Sequence, residues 1–159
     1  MKKQKGFSLI ELLIVVAIIL IIAAIAIPNL LKSKMAANES SAVGSIRTIN
    51  TGEVTYAAGC PNVGYSATLV ELNTGAVCAG GTGVIDNVLA GGAKSGYTFT
   101  YTSVADATGL KNTYSITAIP GVVGTTGQRG FGSDQTGVVR YTLNGTAPTF
   151  GAAGSSALQ

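Results

Sequence analysis

The first 28 residues combine a short basic leader with a long apolar run that begins beside a single carboxylate. Residues 12–27 are sixteen consecutive apolar residues, and Glu11 lies immediately before them. A helix over residues 7–27 would be about 30 Å long at about 1.5 Å per residue, enough to cross the hydrocarbon core of a bilayer. An ionised side chain in such a helix costs about 3 kcal/mol, so Glu11 requires a partner or a role. The run therefore predicts a membrane-compatible helix with a functional carboxylate near its start.

The leader and the start of the apolar run carry a six-residue motif. The sequence GFSLIE stands at residues 6–11, behind a leader that contains three lysines. This arrangement resembles the type IV pilin family, whose class III signal peptide is cleaved by prepilin peptidase after the glycine of G-F-(S/T)-L-I-E. The resemblance implies cleavage after Gly6, N-methylation of the amine of Phe7, and pairing of Glu11 with the N-terminal amine of a neighbouring subunit. It is strong over residues 1–35 and general beyond them.

The same resemblance implies a structural protein, not an enzyme, and a defined set of partners. Family members wait in the inner membrane as single-pass proteins, and an assembly machinery then builds them into an extracellular helical filament of identical subunits. The positive-inside rule independently places the basic leader in the cytoplasm. A carboxylate and an ammonium group in a bundle of apolar helices each offset the other's desolvation. The expected function is that of a pilus subunit in motility, adhesion or DNA uptake.

The apolar run departs from the family pattern at one position. Many members carry a glycine where Leu20 stands here, and that glycine, with the proline that follows, lets the helix partly unwind inside the filament. Pro28 is present, removes one intrahelical donor and predicts a kink. Leu20 takes the place of that glycine, so the resemblance does not extend to local unwinding of the helix.

Other interpretations of the N-terminal segment remain open. The Ala-Ile-Ala pattern at residues 24–26 is typical of a secretory signal peptide, and cleavage after Ala26 would release a monomeric exported binding module. That interpretation must tolerate Glu11 near the start of the apolar region. A simple membrane anchor would need neither Phe7 nor Glu11, and the helix dipole alone would favour an anion at the N-terminus.

A pseudopilin of a type II secretion system is the main alternative, because it shares the same N-terminal pattern. We would expect a major pseudopilin to carry an acidic calcium-binding loop, whereas Asp106 and Asp134 are the only acidic residues after residue 90. Asp134 could ligate a cation, but its place in a turn favours bonding between its side chain and the backbone. The sequence therefore favours a pilus subunit.

The charge balance and residue types argue against several other classes of protein. The net charge of +3 comes from the three leader lysines, and the rest of the chain has seven basic and seven acidic residues. Such a neutral chain lacks the electrostatic footprint of a nucleic-acid-binding protein. Without histidine, Ser-His and Cys-His catalytic pairs are impossible. No paired-acid or phosphate-loop motif is present, so we expect no catalytic site, cofactor or metal.

A second helical pattern follows the apolar run and differs from it in character. Val43, Ile46 and Ile49 recur at three-residue spacing, with Tyr56 and Ala57 on the same broad face. Most polar residues, including Ser45 and Glu53, are expected on other faces. Glycine, cysteine and proline at residues 59–61 should end the helix. The pattern predicts one long helix whose first half is apolar and whose second half is amphipathic.

The two cysteines, Cys60 and Cys78, lie in the glycine-rich region that follows the helix. Two cysteines without histidine do not provide four ligands for zinc, and their spacing is not that of a redox motif. An exported chain meets an oxidising compartment, so we expect a Cys60–Cys78 disulfide, worth about 3 kcal/mol in the chain-entropy model. The alternative is two separately buried thiols.

The C-terminal part predicts a small antiparallel sheet. Residues 97–102 alternate aromatics and threonines, and the face of Tyr97, Phe99 and Tyr101 should cover the amphipathic helix. The fold class is therefore α+β, with the long helix packed on about four strands. Further strands are expected at residues 114–118, 128–132 and 138–143, and helical turns or short strands at 69–72 and 85–89.

The expected organisation is leader 1–6, filament-core helix 7–30, amphipathic half 31–59, connecting region 60–95, sheet 96–144 and a loosely ordered tail 145–159.

Overall fold

The computed structural model of the chain describes residues 7–75, 83–150 and 156–158. The chain divides into two compact units, Met1–Lys34 and Met35–Gln159, and we call the second unit the head. The fold is α+β, as the sequence predicts. Within the described residues the helices are α1 (Leu9–Gly59), α2 (Leu69–Thr74) and α3 (Asn87–Ala90), and the strands are β1 (Ala93–Lys94), β2 (Tyr97–Ala105), β3 (Lys111–Pro120), β4 (Gly130–Asp134), β5 (Arg140–Thr142) and β6 (Ser156–Ala157).

The strands form one antiparallel sheet in which each strand pairs with the next along the chain. The prediction of about four strands was wrong in number, because the described sheet has six. The two additional strands, β1 and β6, have two residues each and are too short to show an alternating pattern in the sequence. The expectation of a loosely ordered tail was also wrong for β6, which pairs with β5.

The third predicted strand begins two residues later than expected, and a helix side chain explains the difference. The N–H groups of Gln128 and Arg129 donate to Oε1 of Glu39 on α1, at 2.9 and 3.1 Å. These two donors are therefore not used in the sheet, and β4 starts at Gly130. The two regions for which the sequence left helix and strand open contain the helices α2 and α3.

The aromatic face of β2 covers the amphipathic half of α1, as predicted. Tyr97 and Phe99 are buried and share one hydrophobic core with Ile46 and Ile49 of α1. The threonines that alternate with these aromatics are exposed. The period-two pattern of β2 thus identified the strand and also the side that faces the helix.

The buried face of α1 is wider than its apolar residues indicated. Ile46 and Tyr56 are buried as predicted, but Ser45 and Glu53, which were expected elsewhere, are buried as well. The α2–α3 segment covers a second side of the helix, since a Cβ added at Gly52 would lie 3.2 Å from Val84 Cγ2. A helix covered on two sides buries positions that a single apolar stripe does not include.

Glu39 joins the start of the amphipathic half of α1 to the sheet. Besides the two backbone N–H groups, its carboxylate binds the Arg129 guanidinium, with Nε at 2.8 Å and a terminal nitrogen at 2.7 Å. Burial raises the pKa of Glu39, but the hydrogen bonds from Gln128 and Arg129 and the positive charge together lower it below its usual value. The ionised form is therefore the stabilising one.

Glu53 lies about four turns further along the same helix. Among the described residues its hydrogen-bond donors are uncharged. Its side chain is fully buried and accepts the Ser66 N–H at 2.9 Å and the Ser66 hydroxyl at 2.6 Å. Burial raises the pKa of Glu53, against these hydrogen bonds, and the nearby charge of Glu71 raises it further. Protonation therefore favours the folded state at this position, the opposite of Glu39.

Asp134 acts as a turn former, as predicted. Its Oδ1 accepts the Thr136 N–H at 3.0 Å and also the Thr136 hydroxyl. The Gly137 N–H donates to the Asp134 carbonyl at 2.9 Å, and Gly137 has a φ of 75°, a conformation that favours glycine. Thr136 and Gly137 thus reverse the chain between β4 and β5.

Matched substitutions at Glu39 and Glu53 are expected to change stability in opposite directions. Glu39→Gln should lower the free energy of unfolding at pH 7 by about 2 kcal/mol, because it leaves Arg129 without its carboxylate. Glu53→Gln should raise it by about 1 kcal/mol, because a neutral amide can still accept the Ser66 N–H without a buried charge. Urea unfolding of the full chain in detergent, followed by near-ultraviolet circular dichroism, measures both.

The pH dependence separates the two roles further. Glu53 has a raised pKa, so its contribution falls as the pH rises through that pKa, and Glu53→Gln should flatten the profile between the ordinary glutamate pKa of about 4.3 and pH 7. Glu39 has a lowered pKa, so its contribution is lost only as the pH falls below that ordinary value. A Glu53→Gln protein that is less stable than wild type at pH 7 would contradict this account.

Candidate assembly segment

The apolar half of α1 is uncovered on all its faces. Every large apolar side chain between Phe7 and Leu31 is at least 44% exposed. By length and composition this helix is able to cross a membrane, a test that signal sequences also pass. A helix that is apolar all round requires apolar surroundings on every side. The segment therefore requires lipid or other apolar helices around it.

Glu11 has a local role at the start of this helix. Since α1 begins at Leu9, Ser8 is the residue that caps it, and the Ser8 N–H donates to Glu11 Oε2 at 2.8 Å. The Leu12 N–H donates to the Ser8 carbonyl at 3.2 Å. A serine followed three residues later by glutamate is the spacing of a capping box. Neither the helix dipole nor the expected pairing of Glu11 identifies this role of Ser8, for which the Ser-x-x-Glu spacing is the signal in the sequence.

The cap leaves one oxygen of the Glu11 carboxylate available for another hydrogen-bond donor. Within the described residues, Oε1 of Glu11 has no hydrogen-bond partner, while Oε2 accepts from Ser8. Phe7, which directly precedes the cap, is 78% exposed. Gly6 lies outside the described residues, so the geometry of the predicted cleavage site is not part of the structure. An accessible Phe7 beside a half-satisfied carboxylate is compatible with both processing and a second donor for Glu11.

The three carboxylates of α1 differ in the partners that the chain itself provides. Glu39 has a guanidinium and two N–H groups, and Glu53 has a serine N–H and hydroxyl inside the core. Glu11 is exposed, lies among apolar side chains and has a single N–H. Of the three, Glu11 is therefore the carboxylate with most capacity for a partner outside its own chain.

The remaining predicted residues lie apart from this end of the helix. Pro28 lies inside α1, so it removes one donor without ending the helix, and the predicted kink stays a prediction. Cys60 directly follows α1 and is buried, and its N–H donates to the Tyr56 carbonyl at 3.0 Å. Cys78 lies outside the described residues, so their disulfide also stays a prediction. No group of three or more histidine, cysteine or acidic residues that could hold a metal occurs among the residues described.

A family model and known pilins match the N-terminal part of the chain. The family model described as "Prokaryotic N-terminal methylation motif" matches residues 1–27. The chain is 60% identical over 40 residues to the type IV wide pilus major component PilA4 of Thermus thermophilus, covering 25% of this chain and 30% of that protein. It is 44% identical over 54 residues to the type IV major pilin protein PilA of Myxococcus xanthus, covering 34% of this chain and 24% of that protein.

These similarities are confined to part of each protein. The chain covers less than a third of the length of either relative. No solved structure matches the chain. Within the matched segment, the described residues 7–27 include the start of α1, where Glu11 accepts the Ser8 N–H, and the exposed apolar side chains that follow. Through this N-terminal segment, the chain is similar to type IV pilins.

Proposed function

We propose that this protein is the structural subunit of a type IV pilus. The observation that carries the proposal is the uncovered apolar half of α1, which begins with Glu11 at the family spacing. In such a subunit, lipid of the bilayer surrounds this surface before assembly, and the apolar helices of other subunits surround it afterwards. The pilin family consists of structural proteins, and both relatives are named as major pilus components or pilins.

The proposed mechanism starts at the leader. Prepilin peptidase removes residues 1–6 by cleavage between Gly6 and Phe7, and the same peptidase methylates the amine of Phe7. The processed subunit waits in the inner membrane with α1 as a single span. The assembly machinery then moves it into an extracellular filament of identical subunits. The capped start of α1 supports this sequence of events, because Ser8 and Glu11 hold the helix end together directly beside Phe7.

Glu11 is proposed to fix the position of each incoming subunit. One of its oxygens holds the Ser8 N–H, and the other is able to accept the ammonium group of Phe7 from a neighbouring subunit. In an apolar bundle both charges would otherwise be buried alone, which is costly for each of them. A subunit whose amine does not reach a carboxylate would therefore be disfavoured in the filament.

Two substitutions at Glu11 separate its capping role from its charge. Glu11→Gln keeps an oxygen that can accept the Ser8 N–H but removes the negative charge, whereas Glu11→Ala removes both. Both variants should remain in the membrane and yield few or no filaments, with at least about a tenfold loss, because a pairing worth about 1.4 kcal/mol already changes an equilibrium tenfold. Electron microscopy and quantification of sheared filaments measure the effect, with membrane-fraction immunoblots for subunit level.

Controls and contrary results are clear for this pair. Asp106→Asn removes an exposed carboxylate in the turn between β2 and β3 and should leave assembly at the wild-type level. Normal assembly by Glu11→Gln together with failure of Glu11→Ala would assign Glu11 to helix capping and refute the charge pairing. Normal assembly by both variants would refute any assembly role for this side chain.

We further propose that Cys60 and Cys78 form a disulfide that closes the region after α1. Support comes from the place of Cys60, which is buried at the end of the helix. The bond should stabilise the head by about 3 kcal/mol through its effect on the unfolded chain.

Thiol alkylation of the exported protein tests this pairing. In denaturant neither cysteine should react before reduction, and both should react after it, as measured by intact mass. The Cys60→Ser and Cys78→Ser variants should each expose one reactive thiol and unfold at a lower temperature. Alkylation of both cysteines in denaturant without reduction would show two separate thiols.

A further inference from the structure

The loop between β3 and β4 presents two valines to solvent at one end of the head. Residues 121–127 contain no charged side chain, and Val122 and Val123 are 57% and 50% exposed. In the turn after β5, Leu143 is 71% exposed, and a Cβ added at Gly145 would lie 2.6 Å from Val123 Cγ2. The loop and the turn are therefore packed together. We call Val122, Val123 and Leu143 the loop patch.

The loop satisfies much of its own backbone. The Val122 N–H donates to the Thr126 hydroxyl at 3.0 Å, and the N–H groups of Thr125 and Thr126 donate to the Val122 carbonyl at 3.1 and 2.9 Å. The Gly124 N–H donates to the Gly127 carbonyl at 2.9 Å. Backbone groups without partners are costly in an apolar medium. A loop that pairs these four donors internally can approach such a medium at low cost.

The loop is fastened to the start of the amphipathic half of α1. The Asn38 side-chain amide donates to the Thr126 carbonyl at 2.8 Å, and Glu39 accepts the N–H groups of Gln128 and Arg129, which directly follow the loop. Asn38 is seven residues beyond Leu31, the last large side chain of the exposed apolar segment. Seven residues of helix rise about 10 Å, and even a fully extended chain of that length spans only about 25 Å. A bilayer that holds the apolar segment is therefore within reach of the loop.

The charges between the apolar segment and the loop suit a lipid surface. Lys32 and Lys34 are the two charged residues between Leu31 and Asn38. The first acidic residue after them, Glu39, is paired with the Arg129 guanidinium at 2.7 Å. Positive side chains beside exposed apolar ones bind the interface of an anionic bilayer, where the apolar groups enter the boundary between headgroups and acyl chains.

We propose that the loop patch lies on the surface of the bilayer while the subunit is stored in the membrane. The lipid interface is its occupant, and the head is docked there by the valines of residues 121–127 and by Leu143. This inference rests on the membrane-stored subunit of the proposed function. Its consequence is that assembly must withdraw two apolar surfaces from lipid, the span and the loop patch.

Single tryptophans provide the test, because the natural chain has none. Val122→Trp reports on the patch, and Val104→Trp is the matched control, since Val104 is 59% exposed near the opposite end of β2. Val15→Trp, in the apolar segment, reports on insertion of the span. Each full-length variant is reconstituted at low protein density into vesicles of phosphatidylcholine and phosphatidylglycerol, with and without bromine on the acyl chains near the headgroups.

The expected result is selective quenching. In vesicles, the tryptophan of Val122→Trp should emit at shorter wavelength than a tryptophan in water. Bromine on the acyl chains should lower its intensity by about half, since interfacial side chains lie about 5–10 Å into the headgroup boundary. Val15→Trp should also be quenched, and Val104→Trp should behave as in water. Leu143→Trp, a second reporter on the patch, should match Val122→Trp and guards against a folding defect in one variant.

Each contrary result has a distinct meaning. Quenching of Val15→Trp without quenching at the patch overturns the inference and leaves the membrane-stored subunit intact. A blue shift at the patch without quenching assigns it to contact with another copy of the chain and also overturns the inference. Equal quenching of Val122→Trp and Val104→Trp shows unspecific adhesion of the head and overturns it as well. If Val15→Trp is not quenched, membrane storage itself fails, and the inference fails with it.

Discussion

The uncovered apolar surface of α1 between Phe7 and Leu31 is the constraint on which the rest of this structure depends. Water is a poor environment for such a helix, so every stage in the life of the protein must provide an apolar one. Within that segment, Glu11 is the single ionisable side chain, and the chain itself gives it only the Ser8 N–H. A carboxylate in this position can bind a positively charged partner. Cleavage before Phe7 would create such a charge, because it would free the amine of Phe7. Processing and assembly are thus linked through one side chain in our account.

The head holds its own part of α1 by polar contacts as well as by its apolar core. Glu39 binds Arg129 near the start of this part, Asn50 binds the Ser133 hydroxyl at 2.8 Å in the middle, and Glu53 binds Ser66 further on. These contacts are directional, so they fix the rotation of the helix against the sheet in a way that apolar packing alone does not. The head and its own part of α1 therefore form one compact unit.

The sequence predicted the parts of this fold that repeat with a clear period or carry a motif. The continuous apolar run predicted a long exposed helix, and the aromatic alternation of β2 predicted both the strand and the face that the helix covers. Burial of Ser45 and Glu53 was missed, because hydrophobicity does not show that α2 and α3 cover a second side of α1. The start of β4 was misplaced because the carboxylate of Glu39, 89 residues from Gln128, takes the donors that a ladder would use. Long-range polar contacts of this kind leave no local pattern.

The most direct test of the central claim is mass spectrometry of the N-terminal peptide from filaments sheared off the cell surface. Our account predicts an abundant peptide that begins at Phe7 and carries one methyl group on its amine. Such a peptide in the sheared fraction would place the processed chain in a surface filament, with Glu11 four residues from its end. A mature protein that begins at Ile27, after loss of residues 1–26, would contradict the account, because it could neither span the membrane nor assemble through α1.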